Sequence, residues 1–171
     1  MLQGERLVLR EWRESDLQDL ALLRNDVELQ ALLMARAKPN SIERVRHWLS
    51  ERTSREEMSF FVAAARVDDA VLGYLQIANI DRYNEVGELG ICLAHGAQGN
   101  GLAREACQLL EPYLRQVLGL RKLTLQVLAS NERAVSFYRK SGYREVGRLE
   151  QHFHFNGQYH DVLVMERFLS E

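Results

Sequence analysis

Cysteine is scarce in this chain, and long apolar runs are absent. The two cysteines, Cys92 and Cys107, have the spacing of neither a disulfide framework nor a metal site, which is typical of proteins from a reducing compartment. Residues 1–6 lack the basic-then-apolar pattern of a secretory leader, and no apolar run approaches the roughly 20 residues that span a bilayer. We therefore expect a cytoplasmic protein with no membrane partner.

The chain also lacks a strong charge of either sign. Its formal net charge is −2, so electrostatics give no reason to expect nucleic acid as a partner. Repeats, low-complexity segments and Pro/Ser-rich linkers are missing too, so nothing in the sequence divides it. A length of 171 residues with 46% hydrophobic and 27% charged residues is typical of a globular protein, and we expect residues 1–171 to form one domain.

Hydrophobic periodicity predicts an α/β fold with a mixed, mainly antiparallel central sheet flanked by helices. Strand patterns cover residues 7–12, 58–67, 71–80, 86–93, 120–128, 143–155 and 159–168, and the last two flank the hairpin turn Asn156-Gly157. Four helices are predicted: 15–25 with Ser15 and Gln18 as a capping box, one after the cap Ser41 with Trp48 in its buried stripe, 104–117, and 132–141 after the cap Asn131.

A glycine-rich stretch, Gln98-Gly99-Asn100-Gly101-Leu102-Ala103, follows the apolar run 88–93 and opens the helical pattern 104–117. A strand, a glycine turn and a helix start place unpaired N–H groups and a positive dipole end at one point, which suits a phosphate. A Walker loop is excluded because no Lys-Ser or Lys-Thr follows the glycines. A dinucleotide fingerprint fits poorly, because Arg104 stands where its third glycine belongs.

Two motifs resemble one enzyme family. Gln98-x-x-Gly101-x-Ala103 resembles the acetyl-CoA pyrophosphate loop, Gln/Arg-x-x-Gly-x-Gly/Ala, of the GNAT N-acetyltransferases. The segment 131–143 resembles the family's Asn-x-x-Ala-x-x-Phe/Tyr-Tyr-x-x-x-Gly-Phe/Tyr, and the order of elements is similar to the GNAT fold. The Leu-x-Leu-Arg opening and the hairpin 153–159 are most similar to the branch of ribosomal-protein and spermidine N-acetyltransferases. The sequence Leu-Arg-Asn ending at Asn25 also resembles acetyltransferases that act on amino-sugar nucleotides.

This resemblance implies acetyl-CoA as co-substrate, with no metal. It implies that the main chain of one strand pairs with the pantetheine arm, that the glycine loop holds the pyrophosphate, and that an asparagine hydrogen-bonds the pantetheine. The strand residues would be Ile91, Cys92 and Leu93, and the asparagine would be Asn131. The pyrophosphate loop would consist of Gln98, Gly99, Asn100, Gly101, Leu102, Ala103 and Arg104. Tyr138 would donate a proton to the departing CoA thiolate.

The amine must lose a proton before it attacks the thioester, because an ammonium has no free lone pair. Glu88, on the strand that carries the thioester, is our candidate base, directly or through a water; its alternative roles are to anchor a substrate cation or to sit in solvent. His95 is a further candidate. Cys92 and Cys107 fit small buried residues better than nucleophiles, so we expect direct attack in a ternary complex.

The resemblance implies an acceptor site across the sheet from CoA, between the first helices and the last hairpin. Arg24 and Asn25 would line it from the front, and His152, His154 and Tyr159 from the back; the two histidines lack a third ligand for a metal. A polyamine site should concentrate carboxylates, whereas this one is mixed to basic. Three acceptors stay open: a protein N-terminus, an amino-sugar nucleotide and a polyamine.

A different class of function also stays open at this point, a non-catalytic acyl-CoA-binding or regulatory module. The last hairpin predicts an exposed sheet edge, which makes a homodimer plausible.

Overall fold

The computed structural model describes residues 1–169. Within them the strands are β1 Leu2–Gln3, β2 Leu7–Arg10, β3 Ser59–Ala65, β4 Val71–Asp81, β5 Val86–Leu93, β6 Lys122–Leu128, β7 Arg144–Phe155 and β8 Gln158–Phe168. The helices are α1 Leu17–Asn25, α2 Val27–Leu32, α3 Ile42–Thr53, α4 Leu102–Gln116 and α5 Glu132–Lys140, with 3₁₀ turns at Glu14–Asp16 and His95–Ala97. None of these helices is long and apolar enough to cross a membrane.

The strands form one mixed sheet in the order β1-β2-β3-β4-β5-β6-β8-β7. All neighbours are antiparallel except β5 and β6, so the predicted fold class is confirmed. The parallel pairing covers only Val86–Glu88 of β5 against Lys122–Thr124 of β6. Beyond it β6 stays paired with β8 as far as Leu128, while β5 stays paired with β4 as far as Leu93. The sheet therefore splits in its middle.

Different helices cover the two faces of the sheet, because successive side chains of a strand point to opposite sides. Leu75 and Ile77 of β4 lie in a buried cluster with α4 and α5, and we call this side the α4 face. Tyr74 of β4 and Cys92 of β5 lie in a second cluster with α1 and α3, on the α1 face. A ligand that passes through the split sheet would therefore contact the helices of the α4 face at one end and those of the α1 face at the other.

Several predicted helix and turn signals are confirmed. The Ser41 side chain accepts a hydrogen bond from Arg44 N at 3.3 Å, and Asn131 Oδ1 accepts from Ala134 N at 3.2 Å, as helix caps do. Asn156 and Gly157 both have positive φ, 50° and 73°, which the two-residue hairpin turn requires. These local signals fix where α3, α5 and the last hairpin begin and end.

The predicted capping box of Ser15 and Gln18 is wrong. Ser15 lies within a 3₁₀ turn, and Asp16 takes the capping role by accepting from Arg13 N at 2.7 Å. The sequence patterns also did not predict α2. Its N-cap is Asp26, whose side chain accepts from Leu29 N at 2.8 Å. A helix of six residues is too short for its hydrophobic period to be recognised in the sequence. A polar capping residue alone does not distinguish a helix from a turn.

A buried ion pair joins α1 to the sheet. Arg10, at the end of β2, donates to both carboxylate oxygens of Asp16 at 2.8 and 3.0 Å, and each side chain is 3% exposed. Arg10 also contacts Asp69, in the turn between β3 and β4, at 2.9 and 3.2 Å. Removing one partner of a buried pair leaves the other charge without compensation in a medium that solvates it poorly.

We expect Asp16→Asn to lower the free energy of unfolding by about 3 kcal/mol in urea denaturation, because Arg10 would keep its charge and lose its closest carboxylate. Glu14→Gln is the matched control: this carboxylate also pairs with an arginine, Arg46, but is 66% exposed. Exposed pairs contribute little, so the control should leave stability nearly unchanged. Equal losses in the two variants would contradict the special role of the buried pair.

Candidate active site

The split between β5 and β6 opens into a cleft of about 860 Å³, which we call the central cleft. Residues 88–93 of β5 line one wall, and Gln126 and Val127 of β6 line the other. Its lining continues from the loop before α4 to the helices of the α1 face. The volume is large for a single small molecule and lies near the upper end of the usual range for ligand sites.

The wall formed by β5 offers main-chain groups. Beyond Glu88 the strand has no ladder partner on the β6 side, although β4 pairs with its other edge as far as Leu93. The N–H and C=O groups of a strand alternate between its two edges, so half of those in this segment face the cleft. Ile91, Cys92 and Leu93, the predicted pantetheine contacts, all line it. An extended ligand arm can pair here as an added strand.

The glycine loop has the geometry of an anion site. Gly99 and Gly101 have φ of 83° and 85°, left-handed values that a glycine adopts without strain. In residues 1–169, the N–H groups of Gly99, Asn100, Gly101, Ala103 and Arg104 donate to no protein oxygen. Together with the positive end of α4, these amides form an electropositive N-terminus.

Side chains from elsewhere hold this loop in place. Arg6 Nη1 donates to Asn100 O at 2.8 Å, while Arg6 Nε and N donate to Glu105 at 2.8 and 2.7 Å. Gln98 Nε2 donates to Leu93 O at 2.9 Å and ties the loop to the end of β5. Because both ends are fixed, the loop amides are preorganised before any ligand binds.

Not every predicted loop residue reaches the cleft. Gln98, Gly99, Gly101, Ala103 and Arg104 line it. Leu102, the first residue of α4, is buried in the core instead, and Asn100 contributes its carbonyl to Arg6. Their contribution to ligand binding stays a prediction that concerns the main chain rather than the side chains.

A cation that the sequence analysis missed completes this end of the cleft. Arg133, in the first turn of α5, donates from Nη1 to Gln98 Oε1 at 3.2 Å and lines the cleft with Arg104 and Lys140. A Cβ added to Gly99 would lie 2.7 Å from Arg133 Nη2, so this glycine makes room for the guanidinium. Arg133 occupies a variable position of the second motif. The one sequence signal for its role is that it lies two residues after Asn131.

The start and middle of α5 face the cleft with Asn131 and Tyr138. Asn131 Oδ1 is used in the helix cap, which leaves its amide NH₂ for a ligand. The Tyr138 ring packs at 5.3 Å from Phe137 and 5.5 Å from Tyr143, centre to centre, and the residue is 9% exposed. Burial raises the pKa of Tyr138 above its ordinary value, so the phenol is protonated at neutral pH.

Glu88 lies where the parallel pairing ends. Its backbone is opposite Ala78 of β4 and Thr124 of β6, which places its side chain on the α1 face. Glu88 Oε2 accepts from Asn79 Nδ2 at 2.9 Å, and Asn79 sits at an irregularity of β4 with φ of 51°. Among the described residues that line the cleft, Glu88 is the one carboxylate. His95, the other candidate base, is not part of the lining and contacts Asp26 at 3.0 Å.

Both cysteines are poor nucleophiles in this setting. Burial raises the pKa of the Cys92 thiol to about 12, and burial raises that of Cys107 to about 12 as well. Thiolate, the reactive form, is therefore negligible at neutral pH.

The predicted acceptor residues are not all brought together. Arg24 lines the cleft, with its guanidinium carbon 4.2 Å from the Trp48 ring centre. Asn25 does not line it, because its amide exchanges hydrogen bonds of 3.1 and 2.8 Å with the Asn40 main chain. The predicted residues of the last hairpin, His152, His154 and Tyr159, lie outside the lining. Their role in binding an acceptor stays a prediction.

The structure adds other residues to this end of the cleft. Trp48 and Arg52 of α3 and Tyr74 and Gln76 of β4 line it. Trp48 was interpreted from the sequence as part of a buried stripe, and Arg52 lies one helical turn further along the same face. That i, i+4 relation was the available signal. Across residues 1–169, no three His, Cys, Asp or Glu side chains come together as a metal site would require.

The chain belongs to the GNAT acetyltransferase family: the family model "Acetyltransferase (GNAT) domain" matches residues 6–144. It is therefore an enzyme, an acetyl-CoA-dependent N-acetyltransferase, and not the non-catalytic module that the sequence had left open. The family and fold inferred from the two motifs are confirmed.

Its relatives include the YdaF protein of Bacillus subtilis, assigned as a ribosomal N-acetyltransferase, at 23% identity over 94% of this chain and 90% of that protein. Spermidine N(1)-acetyltransferase of Escherichia coli K12 is 36% identical over 98 residues, but that match spans only 57% of this chain and 53% of the relative. The crystal structure of spermidine N-acetyltransferase from Vibrio cholerae with CoA and spermine superposes with a TM-score of 0.88, at 25% identity and 97% coverage of both chains.

We expect Gly101→Ala to raise the KM for acetyl-CoA about tenfold. Alanine at positive φ costs roughly 1–2 kcal/mol, and the loop would relieve that strain by leaving the conformation that presents its amides. Initial rates at varied acetyl-CoA concentration measure the effect.

Two controls separate binding from strain. Gly119→Ala introduces similar strain at φ of 69° but away from the cleft, and should lower stability without changing KM. Gly96→Ala adds a methyl group with no atom within 4 Å and should change neither. A Gly101→Ala enzyme with the wild-type KM would contradict the assignment of the loop.

Proposed function

We propose that this enzyme transfers the acetyl group of acetyl-CoA to a primary amine by direct attack within a ternary complex. The observation that carries the proposal is the central cleft itself, which joins an amide-rich loop beside α4 to a pocket on the α1 face. A thioester lying in the split would meet Glu88 from one side and Tyr138 from the other. Both substrates then fit one continuous space, and no acetylated enzyme is needed.

Each part of acetyl-CoA has a matching surface in this proposal. The pantetheine arm pairs with the open edge of β5 at residues 91–93 and with the Asn131 amide. The pyrophosphate contacts the free N–H groups of the loop, with Arg104 and Arg133 beside it. Since the loop amides are fixed before binding, little ordering entropy is lost there.

Tyr138 acts on the leaving group in this mechanism. As the tetrahedral intermediate collapses, the C–S bond breaks and negative charge builds on sulfur. A protonated phenol stabilises that charge through a hydrogen bond and supplies the proton of the CoA thiol, and the second proton that the nitrogen loses as the amide forms restores the phenol. Burial keeps this phenol protonated across the neutral range.

We expect Tyr138→Phe to lower kcat on the order of 10²-fold while the KM for acetyl-CoA stays close to that of the wild type. Steady-state release of CoA thiol measures both constants. Tyr143→Phe is the control, because this second buried tyrosine contacts the Tyr138 ring but does not line the cleft. Equal kcat in wild type and Tyr138→Phe would remove the proton-donor role.

Glu88 acts on the incoming amine. An alkylammonium has a pKa near 10, so at neutral pH a base must remove a proton as the nitrogen attacks. The carboxylate is held by Asn79 and stands at the point where the sheet splits. It takes the proton directly or through a water, and the transfer leaves a neutral amine facing the thioester.

We expect Glu88→Gln to lower kcat by 10² to 10⁴-fold, with the KM for the amine changed far less. If Glu88 instead only anchors a substrate cation, the amine KM will rise and kcat will persist. His95→Gln tests the alternative base, and a small effect is expected because His95 lies outside the cleft lining. A larger loss in His95→Gln than in Glu88→Gln would reverse the assignment.

The acceptor is an amine of one of three kinds: a polyamine, a protein N-terminus or an amino-sugar nucleotide. The names of the relatives favour the first two, and the basic side chains of the cleft favour the third. We also propose a homodimer as the smallest assembly, with the outer edge of β7 free to pair. The Vibrio cholerae spermidine enzyme is dodecameric in one solved structure.

A further inference from the structure

We propose that the amine acceptor carries an oxyanion, a carboxylate or a phosphate, which Arg24 and Arg52 bind beside Trp48 while Glu88 receives the amine. The proposal rests on the function proposed above and specifies the chemical class of its second substrate. It concerns the part of the central cleft on the α1 face, lined by Arg24, Trp48, Arg52 and Gln76, which we call the arginine pocket.

Two guanidinium groups share one aromatic ring in the arginine pocket. The guanidinium carbons of Arg24 and Arg52 lie 4.2 and 4.7 Å from the Trp48 ring centre. Arg52 Nε also donates to Gln76 Oε1 at 3.3 Å. Stacking on an indole fixes the plane of a guanidinium and leaves its N–H groups for a planar oxyanion, which is how arginine recognises carboxylate and phosphate.

Neither of these arginines has an acidic partner within residues 1–169. Most arginines that pair in this structure do so with a carboxylate, as Arg6 does with Glu105 and Arg10 with Asp16. Arg24 Nε is buried without any hydrogen-bond partner. A buried donor without a partner costs free energy that a bound acceptor would recover.

The positive charges of Arg24 and Arg52 also repel each other. Burial lowers the pKa of Arg52 below its ordinary value, and the neighbouring charges of Arg24 and Arg55 lower it further, while Tyr74 and Glu51 oppose this lowering. The net direction is downward, so the positive charge of Arg52 is not fully compensated. An oxyanion between the guanidinium groups would relieve both the repulsion and the unpaired donor.

The arginine pocket adjoins the proposed base. Gln76 is opposite Gly90 in the β4–β5 ladder, and a Cβ added to Gly90 would lie 3.1 Å from the Gln76 side chain. Gly90 and Glu88 are two positions apart and point to the same face, roughly 7 Å along the strand. A compact acceptor whose amine and oxyanion are a few bonds apart would reach both groups at once.

The same charges disfavour a polycation. A polyamine needs a carboxylate for each ammonium that is desolvated, and Glu88 is the one carboxylate in the described lining of the cleft. A second ammonium would face Arg24 or Arg52. The arginine pocket therefore argues against a polyamine as the acceptor of this chain.

Matched acceptor pairs test the proposal. Each pair has the same amine with and without the oxyanion: glucosamine 6-phosphate against glucosamine, and β-alanine against β-alaninamide, with spermidine as a polycation. CoA release at saturating acetyl-CoA gives kcat/KM for each compound. We expect the anionic member of at least one pair to exceed its partner tenfold or more, and spermidine to be the poorest acceptor. The two pairs distinguish a phosphate from a carboxylate.

Variants connect this preference to the arginine pocket. Arg52→Gln and Arg24→Gln should each lower the ratio of kcat/KM between the anionic and the neutral member about tenfold, and Arg52→Lys should restore part of it. Arg55→Gln is the matched control, because it removes a neighbouring positive charge that does not line the cleft. Its ratio should equal that of the wild type.

Calorimetry with the CoA-saturated protein gives a second readout that does not need turnover. At least one of glucosamine 6-phosphate and β-alanine should bind, and Arg52→Gln should weaken that binding about tenfold. Neutral acceptors or spermidine used as well as the anionic members, or the absence of binding by both glucosamine 6-phosphate and β-alanine, would overturn the oxyanion proposal. Absence of turnover with every compound, and also with spermidine and N-terminal peptides, would instead overturn the proposed function.

Discussion

The parallel pairing of β5 with β6 ends after three residue pairs, and the active site depends on that ending. A strand edge in the middle of a sheet normally has its N–H and C=O groups paired, because unpaired polar groups are costly to bury. Here those of residues 89–93 line a cleft instead. A ligand that lies along this edge of β5 can form the hydrogen bonds that a longer β5–β6 ladder would have formed. The cleft is therefore a consequence of the sheet topology, and in the proposed binding mode the pantetheine arm completes the ladder.

The split also decides which side chains act together. Alternation along β4 and β5 sends Gln76, Gly90 and Glu88 to the α1 face, while the loop after β5 leads to α4 on the other face. Tyr138 reaches the cleft from α5. In the proposed mechanism the donor thioester and the acceptor amine thus approach from opposite sides of one sheet, which would orient them without a covalent intermediate. The raised pKa values of the Cys92 and Cys107 thiols agree with direct attack, because neither thiol would serve as a nucleophile at neutral pH.

Local signals in the sequence predicted what is local in the fold. The caps Ser41 and Asn131, the turn Asn156-Gly157 and the glycine loop are short patterns whose geometry their own residues determine. Arg133, Arg52 and Gln76 could not be found in that way, because their importance comes from contacts between separate elements. Trp48 shows the limit most clearly: helical spacing marked it as apolar and inward-facing, but its two cationic partners come from different helices.

In the proposed binding mode, the distribution of charge along the cleft gives the acceptor its orientation. At one end, main-chain amides with Arg104 and Arg133 suit the pyrophosphate of CoA, and at the other, Arg24 and Arg52 suit a second anion. Glu88 lies between them as the one carboxylate of the described lining, so an ammonium finds its lowest electrostatic energy there. A molecule with both charges would be aligned by two opposite interactions, which fix its direction as well as its position. Alignment of this kind brings the amine nitrogen to the thioester before any proton moves, and it lowers the entropic part of the barrier.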